Sequence, residues 1–351
     1  MNRTVLFPFA EFWPFYLWFV LGILLVLLLD LGVFHRRSEE ISFRHALRLS
    51  VLWVVLALLY SGWFYWYLRG YFSDNPHVLV SGETPVAKAG DYYLQFLSGY
   101  LVEKALAIDN IFVFVVLFNF FGIPVRYQHR VLFYGIIGAL LFRALFIAGG
   151  AVVMGFDWML WVFGGLLVLT GVKLLYHDPE EIDLEGSRIL KIVRKLIPVT
   201  PGLRSNHFFV REGGILMATP LLVALLVVEL SDILFAFDSV PAIFALTDEP
   251  LIVFTSNIFA VLGLRAMYFL LASVVDKFYL LRFGLAVVLI FVGIKMAILN
   301  PLWNGHFPIL PSLLFIVIAI ASSIMASILF PKNDPVELAV SDGDVPQETG
   351  E

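Results

Sequence analysis

Carboxylates are costly in lipid, yet this chain sets two acid-bearing motifs inside stretches otherwise apolar enough to cross a bilayer. Glu103-Lys-Ala-Leu-Ala-Ile-Asp109-Asn110 and Asp232-Ile-Leu-Phe-Ala-Phe-Asp238-Ser239 each place an acid, a second acid six positions on, and then a small polar residue. An acid at mid-membrane costs roughly 2.5–3.5 kcal/mol on insertion scales, so such residues serve as buried ion pairs or as a working site. The rest of the chain confirms lipid as the solvent. It is 60% hydrophobic and 15% charged, against about 45–50% and 25% in a soluble domain, with a mean hydropathy of +0.91.

A span needs about 20 apolar residues. On that measure nine are expected, near 15–34, 49–68, 94–121, 131–154, 158–176, 214–246, 252–275, 281–299 and 309–330. The fold class is therefore an all-α polytopic membrane protein, with residues 1–330 forming one transmembrane domain. The run from Trp13 to Phe34 lacks a small-residue cleavage site before His35-Arg36-Arg37, so it reads as a retained span. The third and sixth spans exceed the membrane's need and hold the acids, which points to tilted or interrupted helices.

Basic residues fall on alternate linkers: Arg36, Arg37, Arg44 and Arg48; Arg126 and Arg130; Arg188, Lys191, Arg194, Lys195, Arg204 and Arg211; then Lys277 and Arg282. The opposite linkers hold Arg69 and Lys88. The positive-inside rule puts the N-terminus outside and the C-terminus in the cytoplasm, in a cell's inner membrane. Within the cytoplasmic linker 177–213, Ile189, Leu190, Val193, Leu196 and Ile197 share one stripe, the pattern of a short interfacial helix. Residues 331–351 read as an acidic, disordered tail.

The chain also repeats itself. Phe142-Arg143-Ala144-Leu145-Phe146 is answered by Leu264-Arg265-Ala266-Met267-Tyr268, and Gly171-Val172-Lys173-Leu174 by Gly293-Ile294-Lys295-Met296. An acid pair precedes each Arg, so spans 3–5 (residues 92–176) match spans 6–8 (residues 214–299). A unit with an odd number of spans enters the second time from the opposite face, giving an inverted repeat, the ground plan of many secondary transporters. Spans 1–2 (residues 1–91) and span 9 (residues 300–330) are then peripheral.

On a helix at about 100° per residue, residues six apart point about 120° apart. Either the acids of each motif address different neighbours, or the helix unwinds so that side chains and freed carbonyls converge. Gly99 and Pro241 make unwinding reasonable. Glu229, three residues before Asp232, adds a further carboxylate near the same face. The candidate ligands Glu103, Asp109, Asn110, Glu229, Asp232, Asp238 and Ser239 offer only oxygen. Oxygen sets suit hard divalent ions such as Mn²⁺, Mg²⁺ or Ca²⁺. All seven histidines lie in or near linkers and the chain has no cysteine, so imidazole and thiolate ligands are missing at depth. The competing reading is charge neutralisation by Arg143, Arg265, Lys173, Lys295 and Lys104, which lie within the same spans.

At these residues the sequence resembles the TerC family of integral membrane proteins, within the LysE superfamily, and among its members the Alx type. The likeness is carried by Gly99-Tyr-Leu-Val-Glu-Lys-Ala-Leu-Ala-Ile-Asp-Asn-Ile-Phe-Val113, Asn206-His-Phe-Phe-Val-Arg211, Ala218-Thr-Pro-Leu221, Glu229-Leu-Ser-Asp-Ile-Leu-Phe-Ala-Phe-Asp-Ser-Val-Pro-Ala-Ile243 and Thr255-Ser-Asn-Ile-Phe-Ala-Val-Leu-Gly-Leu-Arg-Ala-Met-Tyr-Phe-Leu270. The resemblance implies manganese efflux and metal homeostasis, with an association to tellurium resistance in the family's name. It places the metal-binding positions on the seven oxygen-bearing residues above.

The expectation is a transporter exporting a hard divalent cation, foremost Mn²⁺, as substrate and not as a resident cofactor. Proton exchange at the same carboxylates is the hypothesis for coupling, because a carboxyl moved out of water favours its neutral form and can trade a proton for a metal ion. No GxxxxGK[ST] loop is present, nothing points to an enzyme, and the diffuse net charge of -5 gives no nucleic-acid partner. The alternative is a membrane accessory protein that delivers metal or serves envelope stress without transport of its own. The cysteine-free chain is a ready background for testing the topology. Single cysteines replacing Ser38 and Ser81 should react with an impermeant maleimide from opposite sides of the membrane; labelling from one side refutes the orientation.

Overall fold

Proline and its neighbour set several of the helix starts. Helix α3 (Pro85–Phe120) opens on Pro85 behind Thr84, whose Oγ1 accepts the Ala87 N–H at 3.2 Å. Helices α6 (Pro220–Phe244) and α7 (Pro250–Leu262) likewise begin on Pro, which lacks only a donor that the first turn leaves unpaired anyway. The remaining helices are α1 (Phe9–Phe34), α2 (Phe43–Asp74), α4 (Val125–Val153), α5 (Asp157–Tyr176), α8 (Leu264–Leu271), α9 (Leu281–Ile294) and α10 (Ile309–Leu329). Helix α9 runs on through a π turn, Lys295–Leu299, into Asn300–Leu302. The structure, a computed structural model, describes residues 6–34, 43–79, 82–153, 156–176, 198–272, 279–303 and 307–330.

Among the described residues seven helices are long and apolar enough to span a membrane, or eight if the pair α7 and α8, bent by 42°, is one span. The chain is thus an all-α, multi-pass integral membrane protein. Helix α3 has the length, at 36 residues, but carries Glu103, Lys104 and Asp109 in its middle. Its burial inside the bundle makes that tolerable. The outer faces of α1, α2, α5 and α10 expose large apolar side chains, including Trp18, Trp66, Trp161 and Ile318, as lipid contact requires.

One expectation changes here. Span six was expected from residue 214, but Ile215–Ala218 is strand β2, paired antiparallel with β1 (Phe209–Glu212). The apolar run Ile-Leu-Met-Ala is too short to be more than a strand after Gly213 and Gly214, whose φ values of 58° and 84° form the hairpin turn. Arg130 ties this hairpin to α4 through the Asn206 carbonyl and stacks on Phe208. The interfacial helix, within 177–197, and the acidic tail lie outside the described residues.

The N-terminal segment is pinned by an acid that sequence reasoning did not single out. Glu249, buried ahead of α7, accepts the N–H groups of Leu6 (2.8 Å) and Phe7 (3.3 Å) and the Tyr92 hydroxyl (3.1 Å). Burial raises its carboxyl from the ordinary range, and those three donors act against the rise. Phe7 is fully buried against Phe12, Tyr71, Phe72 and Tyr92.

In the packing, α3 lies mainly on α7, α4 on α6, and α5 on α9. The α5–α9 crossing is so close that side chains are excluded. A Cβ on Gly164 would come within 2.8 Å of the Gly293 carbonyl oxygen, one on Gly293 within 2.6 Å of the Gly164 oxygen, and one on Gly171 within 2.8 Å of the Ala286 oxygen. Lipid gives helices no hydrophobic reason to associate, so close backbone approach over small residues has to supply the attraction. Replacing Gly164 with Leu should destabilise the protein by roughly 1–3 kcal/mol through overpacking. Gly165→Leu, with nothing within 4 Å, should be neutral. Thermal unfolding in detergent checks the pair.

Candidate functional site

Helices α3 and α6 carry the acids, and both run unbroken through their motifs. Pro241 lies inside α6 without interrupting it. Of the two alternatives, the continuous helices fit the first: the acids of α6 address different neighbours, as residues six apart on a straight helix must.

The first centre is built around Glu103, which is fully buried. Arg143 Nη1, from α4, pairs with its Oε1, and Asn257 Nδ2, from α7, donates to its Oε2 at 3.2 Å. The same guanidinium nitrogen donates to Asn257 Oδ1 at 2.9 Å. Three helices are thus joined by one closed polar ring. Asn257 was not among the predicted site residues; its signal was the polar run Thr255-Ser256-Asn257 within an apolar span.

The second centre lies on α6. Asp232 is buried, and its Oδ1 has no hydrogen-bond partner. Arg143 and Glu103 are within its electrostatic reach, as Asp232 is within that of Glu229. Asp232 lines a small crevice with Gly135 of α4 and Arg265 of α8. Glu229 is half-buried, its Oε2 also without a partner. The carboxylate lies directly over Gly138, where any Cβ would overlap it.

The other predicted residues are arranged separately. Asp238 accepts the Thr170 hydroxyl of α5 at 3.1 Å and lies within electrostatic reach of Lys173. Ser239 is buried with an unpartnered Oγ, and Asn110 is buried on α3. Asp109 also sits on α3, and its side chain is outside the described residues. The structure brings Glu103 and Asp232 within reach of Arg143, with Glu229 beside Asp232, and places Asp238 on the α5 side. Among the described residues no three His, Cys, Asp or Glu side chains stand together as a ready-made metal set.

Of the cations expected to neutralise these acids, Arg143 does so directly. Lys104 is within electrostatic reach of Glu103, but its ammonium donates its hydrogen bond to the Ala260 carbonyl at 2.9 Å. Lys295 is buried in the π turn and interacts electrostatically with Asp248. Charge neutralisation therefore accounts for Glu103 and leaves oxygens of Glu229 and Asp232 unmatched by hydrogen bonds. Gly138→Ala should push the Glu229 side chain aside and lower the unfolding temperature. The loss should largely vanish when Glu229→Ala is added, a coupling measurable in a double-mutant cycle.

The family described as the integral membrane protein TerC family matches residues 88–334. An uncharacterized membrane protein of Myxococcus xanthus, STKORF319, is 47% identical over 94% of this chain and 95% of its own. The Escherichia coli (strain K12) protein provisionally named membrane-bound redox modulator Alx is 44% identical over 84% of this chain and 88% of its own. Its Photorhabdus laumondii namesake is 46% identical over 80% and 85%. No solved structure matches.

Proposed function

The chain belongs to the TerC family of integral membrane proteins, and from that premise we propose that it is a secondary transporter of a hard divalent cation, foremost Mn²⁺. The observation that carries the reading is the pair Glu229 and Asp232, whose unpartnered carboxylate oxygens are buried in the interior of a membrane bundle. A buried, unmatched carboxylate is expensive, and a transient cation is what would repay it. Oxygen donors without imidazole or thiolate favour Mn²⁺, Mg²⁺ or Ca²⁺ over zinc and copper.

We further propose that spans α3–α5 and α6–α9 are inverted repeats. The small-residue crossing supports this. Gly164 meets Gly293 and Gly171 lies against Ala286, and one offset of 122 residues takes Gly164 to Ala286 and Gly171 to Gly293. Each contact is thereby converted into the other, the self-complementarity that a two-fold relation gives. Under this reading the protein sits in the inner membrane, N-terminus outside, and exports metal while protons return at the same carboxylates.

The provisional name of the Alx relatives favours a second reading, an accessory protein acting on the redox state of the envelope. This chain has no cysteine, so thiol exchange would need a partner protein. Everted vesicles containing the protein should accumulate Mn²⁺ when a pH gradient is imposed. Asp232→Asn should reduce uptake at least about tenfold, as expected for loss of a charged oxygen ligand, with the protein still in the membrane. Wild-type vesicles that accumulate no metal would favour the accessory reading, and uptake indifferent to the gradient would exclude proton exchange.

A further inference from the structure

The two acid centres occupy equivalent places in the repeats and are built differently. The offset of 122 residues that takes Arg143 to Arg265 also takes Gly135 to Asn257. An offset of 129 takes Glu103 to Asp232 and Tyr100 to Glu229. The first centre is therefore Glu103, Arg143 and, from the other repeat, Asn257. Its counterpart is Asp232, Arg265 and, from the other repeat, Gly135, which line one crevice. Where the first centre has an amide, the second has no side chain; where the first has a phenol, the second has another acid.

The consequences are visible in the hydrogen bonds. Both oxygens of Glu103 are engaged, and Asn257 bonds the same guanidinium through its oxygen. Asp232, only 3% exposed, keeps an unpartnered Oδ1 on the crevice, and Glu229 keeps an unpartnered Oε2. In the first centre a guanidinium pairs directly with the carboxylate; in the second, Asp232 has Glu229 within electrostatic reach and each acid keeps an oxygen unpartnered. The glycines at 135 and 138 keep α4 free of side chains beside those two acids.

We infer that the two motifs have separate jobs. Glu103, Arg143 and Asn257 form a lock that joins α3, α4 and α7, and a hard divalent cation is held by Glu229 and Asp232 in the second centre. Glu103 is then a positioning residue and not a ligand. This assignment rests on the transporter reading and narrows it, since the sequence motifs alone would give both halves equal shares.

The test is the unfolding temperature of the purified full-length protein in detergent, titrated with MnCl₂, MgCl₂ or CaCl₂. A ligand that binds the folded state alone raises it in proportion to the logarithm of its concentration over Kd. Wild type should show the rise with at least one of the three. Asp232→Asn and Glu229→Gln should weaken the apparent affinity at least about tenfold, since each removes one of few anionic oxygens. The charge-neutral double variant Glu103→Gln with Arg143→Gln should start from a lower temperature and keep a metal affinity within about threefold of wild type, because binding energy lives at the other centre.

Two further variants serve if that double variant does not fold. Asn257→Ser loosens the lock with all charges in place and should lower the basal temperature alone. Gly135→Asn gives the second centre the amide of the first and should abolish the metal response without lowering basal stability to match. Loss of the response in the Glu103 double variant or in Asn257→Ser equal to that in Asp232→Asn overturns the assignment while leaving the transporter reading intact. So does an unchanged response in both Asp232→Asn and Glu229→Gln. No rise in wild type with any of the three salts overturns the cation reading itself, and this assignment with it.

Discussion

A charge buried among helices in lipid has no water to fall back on, and the Glu103–Arg143 pair is where this bundle meets that constraint most directly. Removing either partner would leave the other uncompensated, which costs about 3–5 kcal/mol at a buried pair. Asn257 completes the ring by offering its amide to the acid and its oxygen to the guanidinium. One residue from each of α3, α4 and α7 is thus fixed relative to the other two. Because α3 packs mainly on α7 and α4 on α6, the ring sets the register of the helices that flank the second centre as well.

Close backbone contact supplies what hydrophobicity cannot. In water an apolar helix face associates to escape the solvent, whereas in lipid the tails are as apolar as leucine and the gain must come from packing. Gly164, Gly171, Ala286 and Gly293 let α5 and α9 approach until backbone atoms meet. Aromatic packing plays the equivalent part at the N-terminal side. Phe15 stacks on Trp63 and Phe19 tilts against Tyr60, holding α1 on α2, while Glu249 binds the preceding backbone.

How much of this was legible depends on whether a feature is set locally. Long apolar runs give spans directly, because lipid forbids unsatisfied backbone and leaves only the helix. The run Ile215–Ala218 misled for the same reason: hydropathy scores it as membrane, and only the glycine pair before it reveals a hairpin. The seven oxygen-bearing candidates were found by chemistry, but their grouping was not. Asp232 lines a crevice between α4 and α8 and Asp238 accepts from Thr170 on α5, a division that helical geometry permits and that unwinding would have removed. Glu249 and Asn257 were missed because their importance lies in partners far along the chain, 242 residues away for Phe7 and 154 for Glu103.

Lys104 shows why counting charges cannot replace geometry. Adjacent to Glu103 in sequence and within its electrostatic reach, it looks like that acid's direct partner, yet the hydrogen bonds of Glu103 come from Arg143 and Asn257 and the ammonium donates to the Ala260 carbonyl. Ala260 is one turn beyond Asn257 and lies just before Gly263, where α7 ends and the chain bends into α8. A helix ending inside the membrane exposes carbonyls with a partial negative charge, and a cation there is the natural cap. Gly263 makes the approach possible, since a Cβ at that position would lie 2.6 Å from Lys104 Nζ. Two consecutive residues of α3 therefore grip α7 about one turn apart, one through its amide side chain and one through its backbone. The broken span is tolerable in lipid because α3 brings its own charge to the break.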